Sequence, residues 1–356
     1  MNPIQNAGSK SRPRLTYIDN LRVFACFLVL LTHSTMHTVN PEEEGKWMAL
    51  ISLIGSPSSE LFLALSGTVL LPVKTGFKKF YKRRFLKLIP PLIIWSILGT
   101  IRNVYSLNMS WDDALDRILH IPVAPAIGVY WFVYAMIGLY LLAPFVSPWL
   151  KTCSKRQIEL FLLLWGINMI IPWFLYFIPD LFPVNSQNFS FYEQGNYYWE
   201  LCYFGGFLGY WILGYYLYHY PIKVSFNAKF FSLCLASIIY PCYVLLSTHN
   251  GLPQSQVASN LQIGSAIWVA LLYTLFANIK LKARFQAILT NIAKYSFGIY
   301  LTHIYIAHDL YWGLFEGSRI HIFPRTFLIA LLTLLTGYAL TWLISRVRIS
   351  KYIVGI

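Results

Sequence analysis

An arginine and a histidine share one apolar segment close to the start of the chain. The segment from Tyr17 to Ser34 reads YIDNLRVFACFLVLLTHS, and His33 follows Arg22 by eleven residues. In an α-helix this spacing is three turns plus about 20°, so both side chains leave one face, roughly 16 Å apart along the axis. An arginine suits phosphate groups, and a neutral imidazole can take a proton from a hydroxyl. The spacing therefore predicts an anion site at one depth and a general base at another.

Ordinary membrane packing offers a second explanation for the same two residues. The arginine could extend its charged head to the membrane surface, and the histidine could hydrogen-bond between helices. Ionisable groups at membrane depth are costly, however, and they usually face the protein interior or a water-filled cavity. We therefore favour the functional interpretation, with Arg22 near the cytoplasmic edge and His33 near mid-bilayer.

A short, basic inner loop predicted between the second and third apolar segments adds to the anion site. The sequence KTGFKKFYKRRFLKLIPP carries seven basic residues, which is more than membrane orientation requires. Arg84 and Lys87 lie one helical turn apart and together could bind a diphosphate, the arginine through a forked contact and the lysine as a point charge. Contact with anionic lipid headgroups is the alternative, and it applies best to Lys74, Lys78 and Lys79, which are farther from the third segment.

Two more ionisable residues are predicted at the depth of His33. Glu60 lies about ten residues from the outer start of the second segment, where an unpaired carboxylate would be protonated or bound to a partner. A contact with His33 would let Glu60 orient the imidazole. His303 in the ninth segment could stabilise a developing oxyanion or line the path of a substrate. A hydrogen bond between helices is the alternative for His303.

Small and aromatic residues complete the set of candidates. Ser66 and Gly67 would lie below Glu60, where their small size lets a thin ligand or another helix approach closely. Tyr130 and Trp131, at the outer end of the fourth segment, offer flat faces of the kind that stack on sugar rings. Aromatic residues are also common at membrane interfaces without any ligand.

The composition identifies the elements that must hold these residues. Of the 356 residues, 57% are hydrophobic and only 12% are charged, and a bilayer-spanning helix needs about 20 apolar residues. We therefore predict an all-α integral membrane protein, a bundle of about ten transmembrane helices. The apolar segments lie near residues 19–38, 50–73, 88–105, 130–149, 157–178, 198–218, 229–247, 262–279, 295–314 and 324–344.

The distribution of charge orients the predicted bundle. With both termini cytoplasmic, most of the 28 basic residues fall on the inner side, as the positive-inside rule requires. The longest outer loop is then Pro179 to Glu200. The net charge of +14 reflects this topology, so we expect anionic lipids as partners and no nucleic acid. The five cysteines form no CxxC motif, so neither disulfides nor a metal site is expected.

Five stretches of the chain together resemble the acyltransferase family 3 proteins, bacterial multi-pass enzymes that O-acylate surface glycans. Among them, the chain is most similar to the type that O-acetylates enterobacterial common antigen. The resemblance covers nearly the whole chain, although the family's usual Arg-x-x-Arg reads Arg-Phe-Leu-Lys here. The stretches are YIDNLR with the Arg22 to His33 spacing, ELFLALSG from Glu60, RFLKLIPP from Arg84, YWFVYAMIGLYLLAP from Tyr130 and YSFGIYLTHI from Tyr295.

The resemblance implies an activity and a set of roles. An acyl group, expected to be acetyl, would pass from cytoplasmic acyl-CoA to a hydroxyl of a surface or lipid-linked glycan, in the bacterial cytoplasmic membrane. Acyl-CoA would be a donor substrate, and no cofactor would be permanently bound. Residues 1–14 would form a flexible cytoplasmic tail and residues 15–356 one transmembrane acyltransferase domain. The expected roles are catalytic for His33, Glu60 and His303, donor-binding for Arg22, Arg84, Lys87 and Ser66, and acceptor-binding for Trp131 and Tyr130.

Two other classes of protein are compatible with ionisable residues at mid-depth. A proton-coupled transporter or exporter of a glycan precursor also places histidine and glutamate there, and a structural membrane anchor is a third alternative. A cluster of phosphate-binding residues aligned with His33 has a purpose in an acyl-CoA enzyme and little purpose in a transporter. Within the enzyme class, direct transfer needs no protein nucleophile, while transient acylation of Ser66 or His33 stays open.

Overall fold

The computed structural model describes residues 15–35, 47, 50–51, 53–177, 206–249, 261 and 263–356. In these ranges every regular element is a helix, which confirms the predicted all-α class. Among the described residues, four stretches are long and apolar enough to span a membrane, namely Leu53–Leu70, Phe77–Ser106, Gly128–Thr152 and Ile322–Ile344. The number of ten spans and the location of the termini stay predictions. The loop from Pro179 to Glu200 and the tail over residues 1–14 lie outside the described ranges.

The helices are numbered here in chain order. They are α1 (Thr16–His33), α2 (Ser58–Leu70), α3 (Phe77–Ser106), α4 (Trp111–His120), α5 (Trp131–Thr152), α6 (Lys155–Phe177), α7 (Gly206–His219), α8 (Phe226–His249), α9 (Ile263–Phe276), α10 (Ala283–Tyr305), α11 (Gly313–Phe315), α12 (Ile322–Ile344) and α13 (Ser350–Ile353). A 3₁₀ turn, Gly128–Tyr130, precedes α5, and a π-helical segment, Ile306–Trp312, continues α10.

The basic stretch differs from its predicted form. We expected a loop before an apolar span near residues 88–105, but α3 already begins at Phe77, so most of the basic residues lie on its first turns. Lysine and arginine have unbranched stems that lose little freedom in a helix, which favours this extension. The helix also continues through Pro90 and Pro91, as membrane helices can when neighbouring groups satisfy the freed carbonyls.

Helices α1 and α10 run parallel to each other. Near their starts, the amides of Asn20 and Gln286 exchange hydrogen bonds of 3.1 and 2.8 Å. Farther along both helices, the rings of His33 and His303 lie with their centroids 5.2 Å apart. Because residue numbers increase together on the two helices, corresponding parts of α1 and α10 lie at the same depth.

Helix α3 runs parallel to α10 as well. The hydroxyl of Tyr305 donates to the carbonyl of Trp95 at 3.0 Å. Farther along, the guanidinium Nε of Arg102 lies 3.0 Å from both carboxylate oxygens of Asp309. The three parallel helices therefore place the basic residues of their earlier parts toward one end of the bundle.

Helices α2 and α7 cross with their backbones in close contact. A Cβ atom built on Gly67 would lie 2.2 Å from the carbonyl oxygen of Trp211, and one built on Gly214 would lie 1.9 Å from that of Ala64. Both distances are far below van der Waals contact, so only glycine fits at these positions. Of the two explanations for Gly67, close helix packing is therefore the one that applies.

We expect Gly214→Ala to destabilise the protein by roughly 1–3 kcal/mol, because the methyl group would force the α2 and α7 backbones apart. The thermal unfolding midpoint in detergent measures this effect. Gly138→Ala is the matched control, since a Cβ atom there meets nothing within 4 Å. Equal midpoints for the two variants would contradict the close crossing.

Candidate active site

A single cavity contains the predicted anion-binding residues and the predicted base. Its volume is about 580 Å³. Arg22, Arg84 and Lys87 line it together with His33, and a fourth cation, Lys294, also belongs to the wall. These cations come from α1, α3 and α10, the three parallel helices. A cavity with several cations toward one end can hold a polyanionic ligand by charge-assisted hydrogen bonds.

The cations and the histidines lie at different depths along the helices. Arg22 precedes His33 by eleven residues, which is about 16 Å of helix rise. Lys294 precedes His303 by nine residues, or about 13 Å. An elongated ligand with its charges at the cations would therefore extend its other end toward the histidines.

Arg22 is held by a neighbour on its own helix. Its Nη1 lies 3.8 Å from Oδ1 of Asp19, which is buried. The other carboxylate oxygen of Asp19 accepts a hydrogen bond of 3.2 Å from the hydroxyl of Thr290 on α10. Asp19 was not among the predicted site residues, yet it both positions Arg22 and fastens α1 to α10.

Arg84 and Lys87 differ in how firmly the protein holds them. The Arg84 guanidinium is half-buried and lies 5.9 Å from the ring centroids of both Phe80 and Tyr140. Such cation–π contacts orient a guanidinium while leaving its N–H groups available. Lys87 is exposed and lines the cavity wall. Arg84 is thus the more firmly held of the two predicted anion ligands.

Lys294 is a cavity residue that the sequence analysis did not select. Nine residues place it on the face of α10 opposite His303, so helical spacing gives no reason to join them. The tertiary packing turns Lys294 toward the wall of the same cavity that His33 lines. No pattern within α10 would have identified this residue, because its role depends on α1 and α3.

His33 and His303 form a pair at the far end from the cations. His303 is fully buried, and its Nδ1 lies within hydrogen-bonding distance of the carbonyl of Tyr300. A carbonyl only accepts, so Nδ1 carries the proton and Nε2 carries a lone pair. This Nε2 is buried, and it has no hydrogen-bond partner among the described residues. A neutral His303 can therefore accept a proton here, whereas the predicted oxyanion role would require a further proton on Nε2.

His308 supports the end of α1 that carries His33. Its Nε2 lies 3.2 Å from the backbone carbonyl of His33, and its ring stacks on Trp312 at 3.6 Å between centroids. His308 and Trp312 belong to the π-helical segment, a distortion that is frequent at functional sites.

The described ranges contain no group of three or more His, Cys, Asp or Glu arranged to hold a metal ion.

Glu60 does not make the predicted contact with His33. Its carboxylate is fully buried, and one oxygen accepts a hydrogen bond of 3.0 Å from the hydroxyl of Ser59. The other oxygen has no hydrogen-bond partner within the described part of the chain, His33 included. Ser59 lines the cavity and Glu60 lies behind it. The carboxylate thus reaches the cavity only through Ser59, because the turn of α2 directs it into the protein.

The predicted small and aromatic residues divide between the cavity and the core. Ser66 and Trp131 line the cavity, as expected for residues that contact a ligand. Tyr130 is fully buried, and its hydroxyl donates to the carbonyl of Leu301 at 2.8 Å and lies 2.9 Å from the hydroxyl of Tyr305. This packing leaves no exposed ring face for a sugar, and Tyr130 does not line the cavity, so the structure does not support its predicted role in acceptor binding.

Comparison with known proteins identifies one family. A family model described as an acyltransferase domain matches residues 15–346. No curated protein and no solved structure matches the chain. The matched range contains all of the cavity residues named above.

Proposed function

This chain belongs to the family of that acyltransferase domain, acyltransferase family 3, and we propose that it transfers an acetyl group from cytoplasmic acetyl-CoA to a hydroxyl of a glycan at the outer side of a membrane. The observation that carries the proposal is the single cavity lined by four cations and by His33. A transporter needs protonatable residues at mid-depth, but it has less reason than an acyl-CoA enzyme for a polyanion site connected to them.

The donor fits the cavity by its charge and its shape. The diphosphate of acetyl-CoA binds Arg22, Arg84, Lys87 and Lys294, which supply charge-assisted hydrogen bonds. The uncharged pantetheine arm extends along the cavity past Ser66, over the roughly 16 Å of rise between Arg22 and His33. The thioester then lies beside His33, while the nucleotide never leaves the cytoplasmic side.

In the proposed transfer step, His33 accepts one proton and then gives it up. Neutral His33 takes the proton of the acceptor hydroxyl while the oxygen of that hydroxyl attacks the carbonyl carbon of the thioester. The carbon–sulfur bond then breaks, the acyl group stays on the acceptor oxygen, and the thiolate of CoA receives the proton from His33. The ring of His303 lies beside that of His33, and its Nε2 can accept a hydrogen bond. His308 holds the backbone of His33 in place. Trp131 offers a ring face to the acceptor sugar.

The proposed location rests on charge, apolar segments and resemblance together. The excess of basic residues on one side of the predicted topology supports cytoplasmic termini, with anionic lipid at the inner surface. The ten apolar segments support ten spans, and the resemblance to the family implies a bacterial cytoplasmic membrane. The four apolar helices named above are consistent with a multi-pass protein. The similarity to the type that acts on enterobacterial common antigen stays a prediction, and a panel of acceptors tests it.

Sided membrane vesicles test the proposed function. We expect inside-out vesicles, which expose the cytoplasmic face and enclose the outer face, to transfer label from added radioactive acetyl-CoA to a glycan acceptor sealed in their lumen. Sealed right-side-out vesicles with the acceptor outside should transfer none, because added acetyl-CoA cannot reach the cytoplasmic face. Vesicles without the protein provide the background. Movement of an unmodified glycan across the membrane, with no acetyl label on any acceptor, would instead identify a transporter.

A further inference from the structure

A second, smaller cavity adjoins the cavity of the candidate active site. It has a volume of about 170 Å³ and shares Val69, Leu70 and Arg84 with the larger cavity. Its remaining wall includes Lys74 and Arg83, which do not line the larger cavity. Arg84 therefore stands between two spaces, each with its own cations.

The two arginines that follow each other on α3 face different spaces. Consecutive residues of a helix point about 100° apart, and this turn lets Arg84 line both cavities while Arg83 lines only the smaller one. Both Arg83 and Lys74 are exposed, so a hydrophilic ligand can reach them from the aqueous side. The smaller cavity thus has its own charge, separate from that of the diphosphate site.

The segment between α2 and α3 brings Lys74 to the wall of the same small cavity that Arg83 lines. The backbone N–H of Val73 donates to the hydroxyl of Ser147 on α5 at 2.8 Å. This bond fixes the chain next to Lys74. Thr75, which also lines the smaller cavity, adds a hydroxyl group. One guanidinium, one ammonium and one hydroxyl group around a small space form a set of donors suited to a phosphate.

We propose that the smaller cavity binds the 3′-phosphate of the acyl-CoA nucleotide, through Arg83, Lys74 and Thr75. This inference rests on the proposed function. Acyl-CoA carries a diphosphate and, separately, a phosphomonoester on its ribose, and the two cavities that meet at Arg84 match these two groups. A phosphomonoester bears a charge of roughly −1.5 to −2 at neutral pH, so it gains most from a site with two cations of its own.

The proposed 3′-phosphate contact can be measured by comparing a donor that carries this phosphate with one that lacks it. In a neutral detergent without anionic lipid, we compare kcat/KM for acetyl-CoA with kcat/KM for 3′-dephospho-acetyl-CoA. The wild-type protein should prefer acetyl-CoA by about tenfold to a hundredfold, as expected for charge-assisted hydrogen bonds. Arg83→Ala and Lys74→Ala should each reduce this ratio toward one. Lys82→Ala, an exposed cation of the same helix that lines neither cavity, should keep the ratio of the wild type.

Each other outcome overturns the inference or the function on which it rests. Equal use of both donors by the wild type, or an equal loss with both donors in Arg83→Ala, would overturn the 3′-phosphate site while leaving acetyl transfer intact. An effect of Arg83→Ala that appears only after anionic lipid is added would assign these cations to lipid phosphates. No transfer from either donor would refute the proposed function itself.

Discussion

His33→Gln is expected to lower kcat for acetyl transfer by about 10²–10⁴-fold, the usual cost of losing a general base, while the protein stays folded in the membrane. Glutamine keeps a hydrogen-bonding side chain but cannot carry the proton. The argument is positional, since His33 lines the cavity about 16 Å of helix rise from Arg22, where a thioester held by its phosphates would end.

His120→Gln is the control for this substitution. His120 is an exposed histidine on the short helix α4, and it does not line the active-site cavity. Detergent-solubilised yield and thermal midpoint show whether each variant is folded. Turnover like the wild type in His33→Gln would end the catalytic interpretation of His33. If His303→Gln were then inactive, the base would be His303, whose buried Nε2 already carries the lone pair that a base needs.

Arg84→Ala is expected to raise KM for acetyl-CoA by roughly 10- to 150-fold, which corresponds to about 1.5–3 kcal/mol for a charge-assisted hydrogen bond. The value of kcat and the KM for the acceptor should change much less, because Arg84 binds the donor far from the reacting carbon. Lys87→Ala should be milder, since Lys87 is exposed and its ammonium makes no forked contact.

Two comparisons separate donor binding by Arg84 from a general effect of charge. Lys82→Ala removes a cation from the same helix outside the cavity and should leave KM for acetyl-CoA near that of the wild type. Arg84→Lys keeps the charge but loses the forked contact, so its KM should lie between those of the wild type and Arg84→Ala. A fall in kcat with donor binding intact, or equal loss for both substrates, would contradict this role.

The sequence by itself determined the class of the protein and the features that lie within one helix. An apolar composition with few charges leaves helices as the way to satisfy the backbone in a membrane, and every regular element in the described ranges is a helix. The relation of Arg22 to His33 was also predictable, because rise and rotation per residue are fixed by the backbone. The same reasoning identified the Arg84 and Lys87 pair one turn apart.

Only the tertiary structure decided which residues from different helices meet. His303 lies 270 positions after His33 in the sequence, and their contact depends on α1 and α10 running parallel at the same depth. Lys294 joins the cations for the same reason, although spacing within α10 places it opposite His303. These arrangements depend on the direction in which helices pack and on their relative depth, and no spacing within one segment contains either quantity.

The structure also shows which predicted site residues line the cavity and which are buried in the core, a distinction that the sequence alone does not give. Tyr130 and Trp131 are neighbours with similar rings, yet one is fully buried with its hydroxyl bonded to Leu301 and the other lines the cavity. Glu60 is fully buried and accepts a hydrogen bond from Ser59, but it has no hydrogen bond with His33 within the described part of the chain. Adjacent residues of one chain point in different directions, and what lies in each direction is set by neighbouring helices. The sequence thus supplies the residue types that can do chemistry, and the packing of the helices decides which of them line the cavity.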